Sequence, residues 1–158
     1  MNKLAYRFVG VIAVSLCAVV ATFPQATGSM SGNWVWKEVA RRNKPQVQFR
    51  LTVHRKGDVV NGVYSVEEFI NGRWQGEDGN QTPFTGRVKG DTIQIEFDPQ
   101  ATVPGYQENV RYTAPTDGRK PSSAALTLTG QTLRWQLKNG PGIEGVPSQF
   151  SLRHERRK

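Results

Sequence analysis

Side chains that could act as metal ligands or nucleophiles are scarce in this chain of 158 residues, which has two histidines and one cysteine. Cys17 lies in an apolar run near the N-terminus, within a segment that we expect to be removed. His54 is followed by Arg55 and Lys56, whose charges repel a metal cation. The sequence therefore predicts no metal site built from imidazole and thiolate ligands, and no cofactor.

Pairs of carboxylates are the remaining catalytic possibility, because two of them suffice for glycoside hydrolysis. Glu67 and Glu68 are neighbours on a predicted strand and so face opposite sides of it. Glu96 and Asp98 share the outward face of another predicted strand, and we interpret both as surface charge. No serine stands between glycines as in the strained turn of a hydrolase nucleophile. The sequence therefore predicts a protein that is not an enzyme.

Aromatic residues are the main candidates for ligand binding. If the strands close into a barrel, its interior is either filled by side chains or holds one small ligand, and the sequence leaves both possibilities open. Four candidate ligand-binding residues are expected to face this interior: Trp34, Trp36, Tyr64 and Trp135. Four others are placed on loops or strand ends, where aromatic and arginine side chains suit a contact surface: Trp74, Tyr106, Arg111 and Tyr112.

A long hairpin over residues 46–66 is the element around which the other strands are expected to assemble. Its first arm alternates apolar and polar residues from Val47 to His54, which is typical of a strand with one buried face. The second arm is predicted to continue to Ile70, because Asn71-Gly72 is a strong signal for a two-residue hairpin turn. Gly62 interrupts this arm and indicates a bend, a bulge or a close backbone approach.

Further hairpins are predicted along the rest of the chain. Residues 84–97 and 124–137 show the same pattern, in which a glycine turn separates two alternating stretches. A first strand over 31–37, a weak strand over 109–113 and a closing strand over 150–153 complete the set. No window has helical periodicity. We predict an all-β fold, an antiparallel up-and-down meander of about eight strands closing into a small barrel, with a β-sandwich as the alternative.

The N-terminal 28 residues have the layout of a secretory signal peptide. A short basic start with Lys3 and Arg7 precedes an apolar run that ends before Pro24. Cleavage would remove Cys17 and reduce the net charge from +8 to +6. We therefore expect an exported protein, periplasmic or secreted, with a single domain over 31–155 and no disulfide.

Basic residues are concentrated in two places, at 41–44 and in the C-terminal tail of Arg156, Arg157 and Lys158. Such clusters are usually solvated ends or turns. The tail is also a candidate for attraction to an anionic surface, such as phospholipid head groups or an acidic polysaccharide. Because export is expected, nucleic acid is not a predicted partner, and no transmembrane segment should remain after cleavage.

The start of the domain, Gly32-Asn33-Trp34, resembles the Gly-X-Trp motif of lipocalins and of the wider calycin group, which includes the avidins. In lipocalins this tryptophan caps one end of the barrel and an arginine packs across it, a place that Arg153 would take here. The chain departs from lipocalins in having no C-terminal helix pattern and no disulfide. Its size and lack of helices are closest to avidin, but residues 35–38 lack the polar biotin-binding pattern, so the resemblance does not imply biotin binding.

These observations lead to a functional hypothesis with alternatives. The first is an exported, non-enzymatic binding module that takes a small apolar or amphipathic ligand in the mouth of its barrel. The second is a protein-interaction or inhibitor module that contacts an envelope protein through its loops, above all residues 104–120. The third is association with the envelope through the basic tail, whose strength would depend on salt.

Overall fold

The computed structural model describes residues 29–40, 42, 44–76, 80–104, 112–115 and 117–155. These residues form ten strands: β1 (Gly32–Lys37), β2 (Gln46–Lys56), β3 (Val59–Ile70), β4 (Arg73–Gly76), β5 (Asn80–Lys89), β6 (Thr92–Phe97), β7 (Val103–Pro104), β8 (Ser122–Thr129), β9 (Thr132–Asn139) and β10 (Gln149–His154). Among the described residues there is no helix long and apolar enough to cross a membrane. The predicted signal peptide and the basic tail at 156–158 lie outside the described residues.

Eight of these strands close into an antiparallel barrel, in the order β1, β2, β3, β5, β6, β8, β9 and β10. The ring closes where β10 pairs with β1, through Trp34 opposite His154 and Val35 opposite Arg153. The backbone amide of Glu155 extends this contact by donating to the carbonyl of Asn33. The predicted all-β meander is therefore confirmed as a barrel, and the sandwich alternative is wrong.

The long strand β3 pairs with β2 from Val59 to Phe69 along one edge, and its other edge is divided between two partners. The first half of that edge pairs with β5, and the last four residues pair with β4. Asn71 and Gly72 have φ of 52° and 79°, so both adopt the left-handed conformation that a tight hairpin turn requires. Residues 67–76 thus form a hairpin at one end of the barrel whose first arm stays paired with β2; we call it the ribbon below.

The segment after β6 differs from the sequence prediction. The predicted weak strand at 109–113 falls partly outside the described residues, and Tyr112 and Thr113 are not in a strand. The short strand β7 occurs earlier instead and pairs with Asn80 and Gln81 of β5. A strand of two residues is too short to show the alternation of apolar and polar residues from which strands are predicted.

Apolar side chains fill the interior of the barrel. Aromatic rings from β2, β3, β6, β9 and β10 meet across it, with centroid distances between 5.3 and 5.8 Å. We call them the aromatic cluster: Phe49, Tyr64, Phe97, Trp135 and Phe150. Of the two possibilities left open by the sequence, the filled interior is therefore the one observed at this level of the barrel.

The lower end of the barrel, where the turns after β2, β5 and β8 lie, is covered by the start of the domain. Trp34 donates its indole N–H to the carbonyl of Met30 at 3.1 Å, and both residues are buried. The ring of His154 packs edge-on against Trp34, with centroids 5.1 Å apart. Arg153 is exposed and lies opposite Val35, so the expected arginine contact is replaced by that of His154, the next residue, which is also exposed but lies opposite Trp34.

Gly62 marks a close approach, one of the possibilities considered from the sequence. A Cβ at this position would overlap the carbonyl oxygen of Thr52 and lie 2.5 Å from the ring of Phe84. The absence of a side chain therefore lets β2 and β3 remain paired while Phe84 packs fully buried behind them.

We expect Gly62→Ala to lower the free energy of unfolding by about 1–3 kcal/mol, because the added methyl must push either a backbone strand or a buried ring aside. Urea denaturation followed by tryptophan fluorescence measures this. Gly142→Ala is the matched control, since its Cβ would have no neighbour closer than 3.8 Å, and its effect should stay within about 0.5 kcal/mol. Equal stability of the two variants would contradict the packing argument.

Candidate functional site

The upper end of the barrel is open and forms a cavity of about 980 Å³, which we call the mouth. Three segments surround it: the ribbon, the stretch that follows β6, and the loop between β9 and β10. Each of these segments follows the top end of a strand, so the ring of strands fixes their relative positions. The mouth is therefore a large concave surface positioned by the closed part of the fold.

Tyr64 and Val66 of β3 and Thr82 of β5 lie where the mouth meets the filled interior. The ring of Tyr64 belongs to the aromatic cluster, stacked 5.3 Å from Phe49, and only 3% of the residue is exposed. Since Tyr64 also lines the cavity, it is at once part of the core and part of the floor of the mouth.

The hydroxyl of Tyr64 is buried beside Thr82, its cross-strand partner, and is not accessible to water. Burial raises the pKa of this phenol far above its ordinary value, a hydrogen bond with Thr82 acts to lower the pKa, and the negative charge of Asp98 raises it further. The phenol therefore remains protonated at neutral pH.

Asp98 forms one wall of the mouth and is only 5% exposed. One carboxylate oxygen accepts a hydrogen bond from the backbone amide of Gln100 at 3.0 Å, and the other lies 3.1 Å from Nη1 of Arg119. The expectation that Asp98 is surface charge like Glu96 is therefore wrong. The chain turns after Phe97, so strand alternation no longer decides the direction of the next side chain.

Arg119 links the beginning of the stretch after β6, at Asp98 and Gln100, to its end, at Asp117. Its guanidinium also donates to Oε1 of Gln100 and to Oδ2 of Asp117, each at 2.6 Å. Hydrogen bonds from Arg119 lower the pKa of Asp117, so this aspartate is charged at neutral pH. With three acceptors around it, the guanidinium is engaged within the protein.

Tyr112 is a second buried phenol in the neighbourhood of Asp98. Its hydroxyl has no hydrogen-bond partner in the described part of the chain. Burial raises its pKa most, the charges of Asp98 and Glu96 raise it further, and Arg119 opposes them. Two phenols therefore experience the negative field of the same carboxylate.

The opposite side of the mouth is more apolar. Ile70 of the ribbon faces the loop residues Pro141 and Ile143 across the cavity lining, and Ile143 also packs on the core. The loop is held in place by the buried hydroxyl of Ser122, which donates to the carbonyl of Pro141 at 2.8 Å. An occupant of the mouth would thus meet apolar surface on one side and polar groups on the other.

The charges that line the mouth differ in sign from those of the whole chain. They are Glu68, Asp98, Glu144, Arg119 and Lys120, a net charge of −1, whereas the chain carries +8. The mouth is therefore not a basic patch for anions.

The predicted site residues are distributed over several parts of the fold. Tyr64 and Trp135 contact one another, with centroids 6.5 Å apart, and Trp36 packs 4.9 Å from Phe150. Trp34 is at the closed lower end and Trp74 is on the ribbon. Tyr112 is buried near Asp98, while Tyr106 and Arg111 lie outside the described residues. Of the eight, Tyr64 is the one that lines the mouth.

Sequence reasoning missed Ile143 and the burial of Asp98 against Arg119. Asp98 directly follows a strand and precedes Pro99, a combination that predicts a turn. On this signal Asp98 would not have been assigned to the outer face of the strand. The pairing of Asp98 with Arg119 spans a long loop and has no local signal.

A second concave surface lies on the outer face of β1, β2 and β3, with a volume of about 530 Å³. Arg50 binds Glu155 through both carboxylate oxygens, at 2.7 and 2.9 Å, and its Nε lies 3.2 Å from Glu67. Gln48 donates to the other oxygen of Glu67 at 3.1 Å. Glu155 holds the C-terminal end of the domain against β2, and Glu67 links β3 to β2. Both carboxylates therefore have a structural role.

Fold and site together define a small closed β-barrel with a covered lower end and an open, partly apolar mouth. Comparison with protein-family models, with curated proteins and with solved structures found no match. Within the described ranges, no group of three or more His, Cys, Asp or Glu side chains could hold a metal ion.

The raised pKa of Tyr64 predicts an alkaline contribution to unfolding. Since the folded pKa lies above the unfolded value of about 10, the stabilisation is complete below pH 10 and is lost as pH rises further. Between pH 10 and 11, wild type should lose about 1 kcal/mol more unfolding free energy than Tyr64→Phe.

Urea denaturation at pH 9, 10 and 11 measures this difference. Lysines titrate in the same range, but they do so in both proteins and cancel in the comparison. Parallel pH curves for wild type and Tyr64→Phe would show that the phenol ionises normally.

Proposed function

We propose that this chain is an exported, non-enzymatic binding module that takes a small amphipathic ligand in the mouth of its barrel. The observation that carries this proposal is the mouth itself, a cavity of about 980 Å³ that has the aromatic side chain of Tyr64 in its lining together with Ile70 and Ile143. Ligand sites are typically concave and largely apolar, with a few placed polar groups.

The depth of the site follows from the aromatic cluster. Its rings occupy the interior below Tyr64, so a ligand would rest on this residue and would not extend through the barrel. The volume of the mouth, about 980 Å³, is at the upper end of the range that small-molecule sites occupy.

The polar groups at the mouth suit binding better than proton transfer. The carboxylate of Asp98 already accepts from Gln100 and Arg119, and the phenol of Tyr64 stays protonated at neutral pH. A general acid or base works best with a pKa near the working pH. These groups therefore support a module that holds its ligand unchanged.

Native mass spectrometry of protein purified without denaturant from the encoding organism tests the proposal. We expect an added mass of small-molecule size on the wild type. Ile143→Glu should lose it, because a charge in the apolar wall must be desolvated when the ligand binds. Val39→Glu, a change at an 83% exposed apolar residue, is the control and should keep it.

Retention of the added mass by a folded Ile143→Glu variant would place the ligand elsewhere. A wild type that carries no added mass, and gains none from a lipid extract of the same organism, would count against the proposal as a whole.

The protein-interaction module remains the second candidate, favoured by the outer face of the ribbon. Phe69 is 42% exposed and packs 5.2 Å from Trp74. Lys37 places its Nζ 5.0 Å from the centre of the Trp74 ring. Exposed aromatic residues beside a cation are typical of contact surfaces.

For this candidate, Phe69→Ser should weaken capture of an envelope protein by at least tenfold while leaving the melting temperature unchanged. Val39→Ser removes a more exposed apolar group away from the ribbon and should have no effect on capture. Deletion of residues 104–120 tests the alternative that this loop, and not the ribbon, contacts the envelope protein. Capture that survives both changes would reject a contact surface at this end of the barrel.

A further inference from the structure

We propose that the lower end of the barrel is a docking face for a lipid bilayer that contains anionic phospholipids. The barrel stands end-on on this bilayer, and its mouth is directed away from the lipid. The inference goes beyond the proposed function and does not depend on it, because it concerns the opposite end of the fold.

Five exposed cations lie around the lower end, and we call them the basic rim. They come from the end of β2, from the end of β5 and from β10: Arg55, Lys56, Arg87, Lys89 and Arg153. Every ion pair that joins two described residues involves Arg50 or Arg119, so no such pair neutralises the rim. Glu155, at the same end, is paired with Arg50. Asp58 and Asp91 in the turns leave the described lower end with a net charge of +3, with histidines counted as neutral.

The positions of these cations define the direction from which a partner approaches. Three strands separate β5 from β10 in either direction around the ring, so Arg87 and Arg153 lie on opposite sides of the barrel. A partner at the side of the barrel reaches only one of them, whereas a flat surface below it lies close to the whole rim. Anionic lipids attract Lys and Arg within a screening length of about 8 Å at physiological ionic strength. A bilayer is flat over the width of the barrel, but a single polysaccharide or nucleic-acid strand is not.

An exposed apolar side chain lies beside the basic rim. Val59 is 52% exposed, and its cross-strand partners are Lys56 on β2 and Arg87 on β5. Residues directly opposite one another on neighbouring strands point to the same face, so two cations flank this valine. The other large apolar residues that are exposed in the described ranges lie at the upper end: Val39, Phe69 and Ile70. An apolar group between cations suits the boundary between head groups and acyl chains, which a polysaccharide does not offer.

A concave surface of about 750 Å³ at this end suits a phosphate group. Its lining includes Arg153, His154 and three residues with a hydroxyl: Ser29, Ser31 and Thr132. No carboxylate is among the described residues that line it. Guanidinium and hydroxyl groups are hydrogen-bond donors to phosphate oxygens. The lower end therefore offers a place for the phosphodiester of a lipid head group.

The sequence adds further charge at the same end. Arg156, Arg157 and Lys158 follow Glu155, whose backbone amide donates to the carbonyl of Asn33 at the start of β1. The basic rim, these three cations and the two aspartates of the turns carry a net charge of +6. This equals the net charge expected of the whole chain after cleavage of the leader, so the remainder of the domain is neutral as a whole.

Sedimentation with vesicles tests the proposal. Protein purified without denaturant from the encoding organism is mixed with vesicles of phosphatidylcholine, either pure or with about 30% phosphatidylglycerol. We expect binding to the anionic vesicles to be at least tenfold tighter than to the neutral ones. The preference should disappear at about 1 M salt, where the screening length falls to about 3 Å.

Two double variants separate the basic rim from the net charge of the protein. Lys56→Ala/Lys89→Ala removes two cations of the rim, and Arg42→Ala/Lys44→Ala removes two exposed cations between β1 and β2 at the upper end. Each basic residue near an anionic membrane contributes about fivefold to binding, so the first variant should bind at least tenfold more weakly. The second is the control and should change less than twofold. Melting temperatures of both should match wild type, because all four side chains are exposed.

Fluorescent labels report the orientation on the bilayer. An environment-sensitive label is attached at Gln131→Cys, in the turn after β8, or at Gln75→Cys, on the ribbon; both glutamines are exposed. Each labelled protein also carries Cys17→Ser, so that it has no other thiol. On anionic vesicles the emission at position 131 should shift to shorter wavelength, and the emission at position 75 should not change.

Two further changes distinguish the bilayer from other anionic partners and the rim from the tail. Val59→Ser should weaken vesicle binding about two- to fivefold and leave the binding of heparin, a soluble polyanion, unchanged. Deletion of 156–158 should weaken vesicle binding without abolishing it, since the rim remains.

Vesicle binding that depends on Lys56 and Lys89, with a response of the label at position 131 alone, supports the proposal. Equal losses in the two double variants, or a response of the label at position 75, overturn it. Heparin binding without vesicle binding, or vesicle binding that the tail deletion abolishes and Lys56→Ala/Lys89→Ala leaves intact, overturns it as well. None of these outcomes affects the proposed ligand site, which is at the other end of the barrel.

Discussion

The barrel depends on the packing of five aromatic rings across its centre. A ring of eight strands encloses a space just wide enough to be filled by side chains, and here the filling comes from large residues on well separated strands. Phe49 of β2 and Trp135 of β9 meet directly, and Phe97 of β6 packs against Trp135 from another direction. These contacts link strands that are not hydrogen-bonded neighbours. Hydrogen bonds between neighbouring strands do not determine the shape of the barrel's cross-section, and the contacts between the rings do. The position of every loop at the mouth follows from that cross-section.

Tyr64 connects this packing with the candidate site. Its ring contributes to the core through contacts with Phe49, Phe97 and Trp135, and the residue also lines the cavity above them. Its buried phenol has a pKa that the charge of Asp98 raises and a hydrogen bond with Thr82 acts to lower. The same side chain therefore belongs both to the aromatic cluster and to the polar surroundings of Asp98.

The sequence predicted the parts of the fold that depend on short-range pattern. Alternation located β2, and Asn71-Gly72 located the end of β3, because both signals lie within a few residues. Tyr64 entered the list of site residues by the same reasoning. Where contacts are long-range, prediction failed: Asp98 is buried by its pairing with Arg119, 21 positions away along the chain. The choice of Arg153 over His154 was wrong by one residue, and in a strand one residue reverses the face.

The ribbon relates the two candidate functions to one another. Because alternate residues of a strand face opposite sides, Glu68 and Ile70 line the mouth, whereas Phe69, between them, packs against Trp74 on the other face. A partner bound to the outer face would therefore press on the same backbone that forms one wall of the cavity. The first arm of the ribbon continues β3 and is paired with both β2 and β4, so the ribbon is an extension of the barrel sheet. Ligand binding and partner binding at this end are consequently expected to influence each other, even though they use opposite faces of one hairpin.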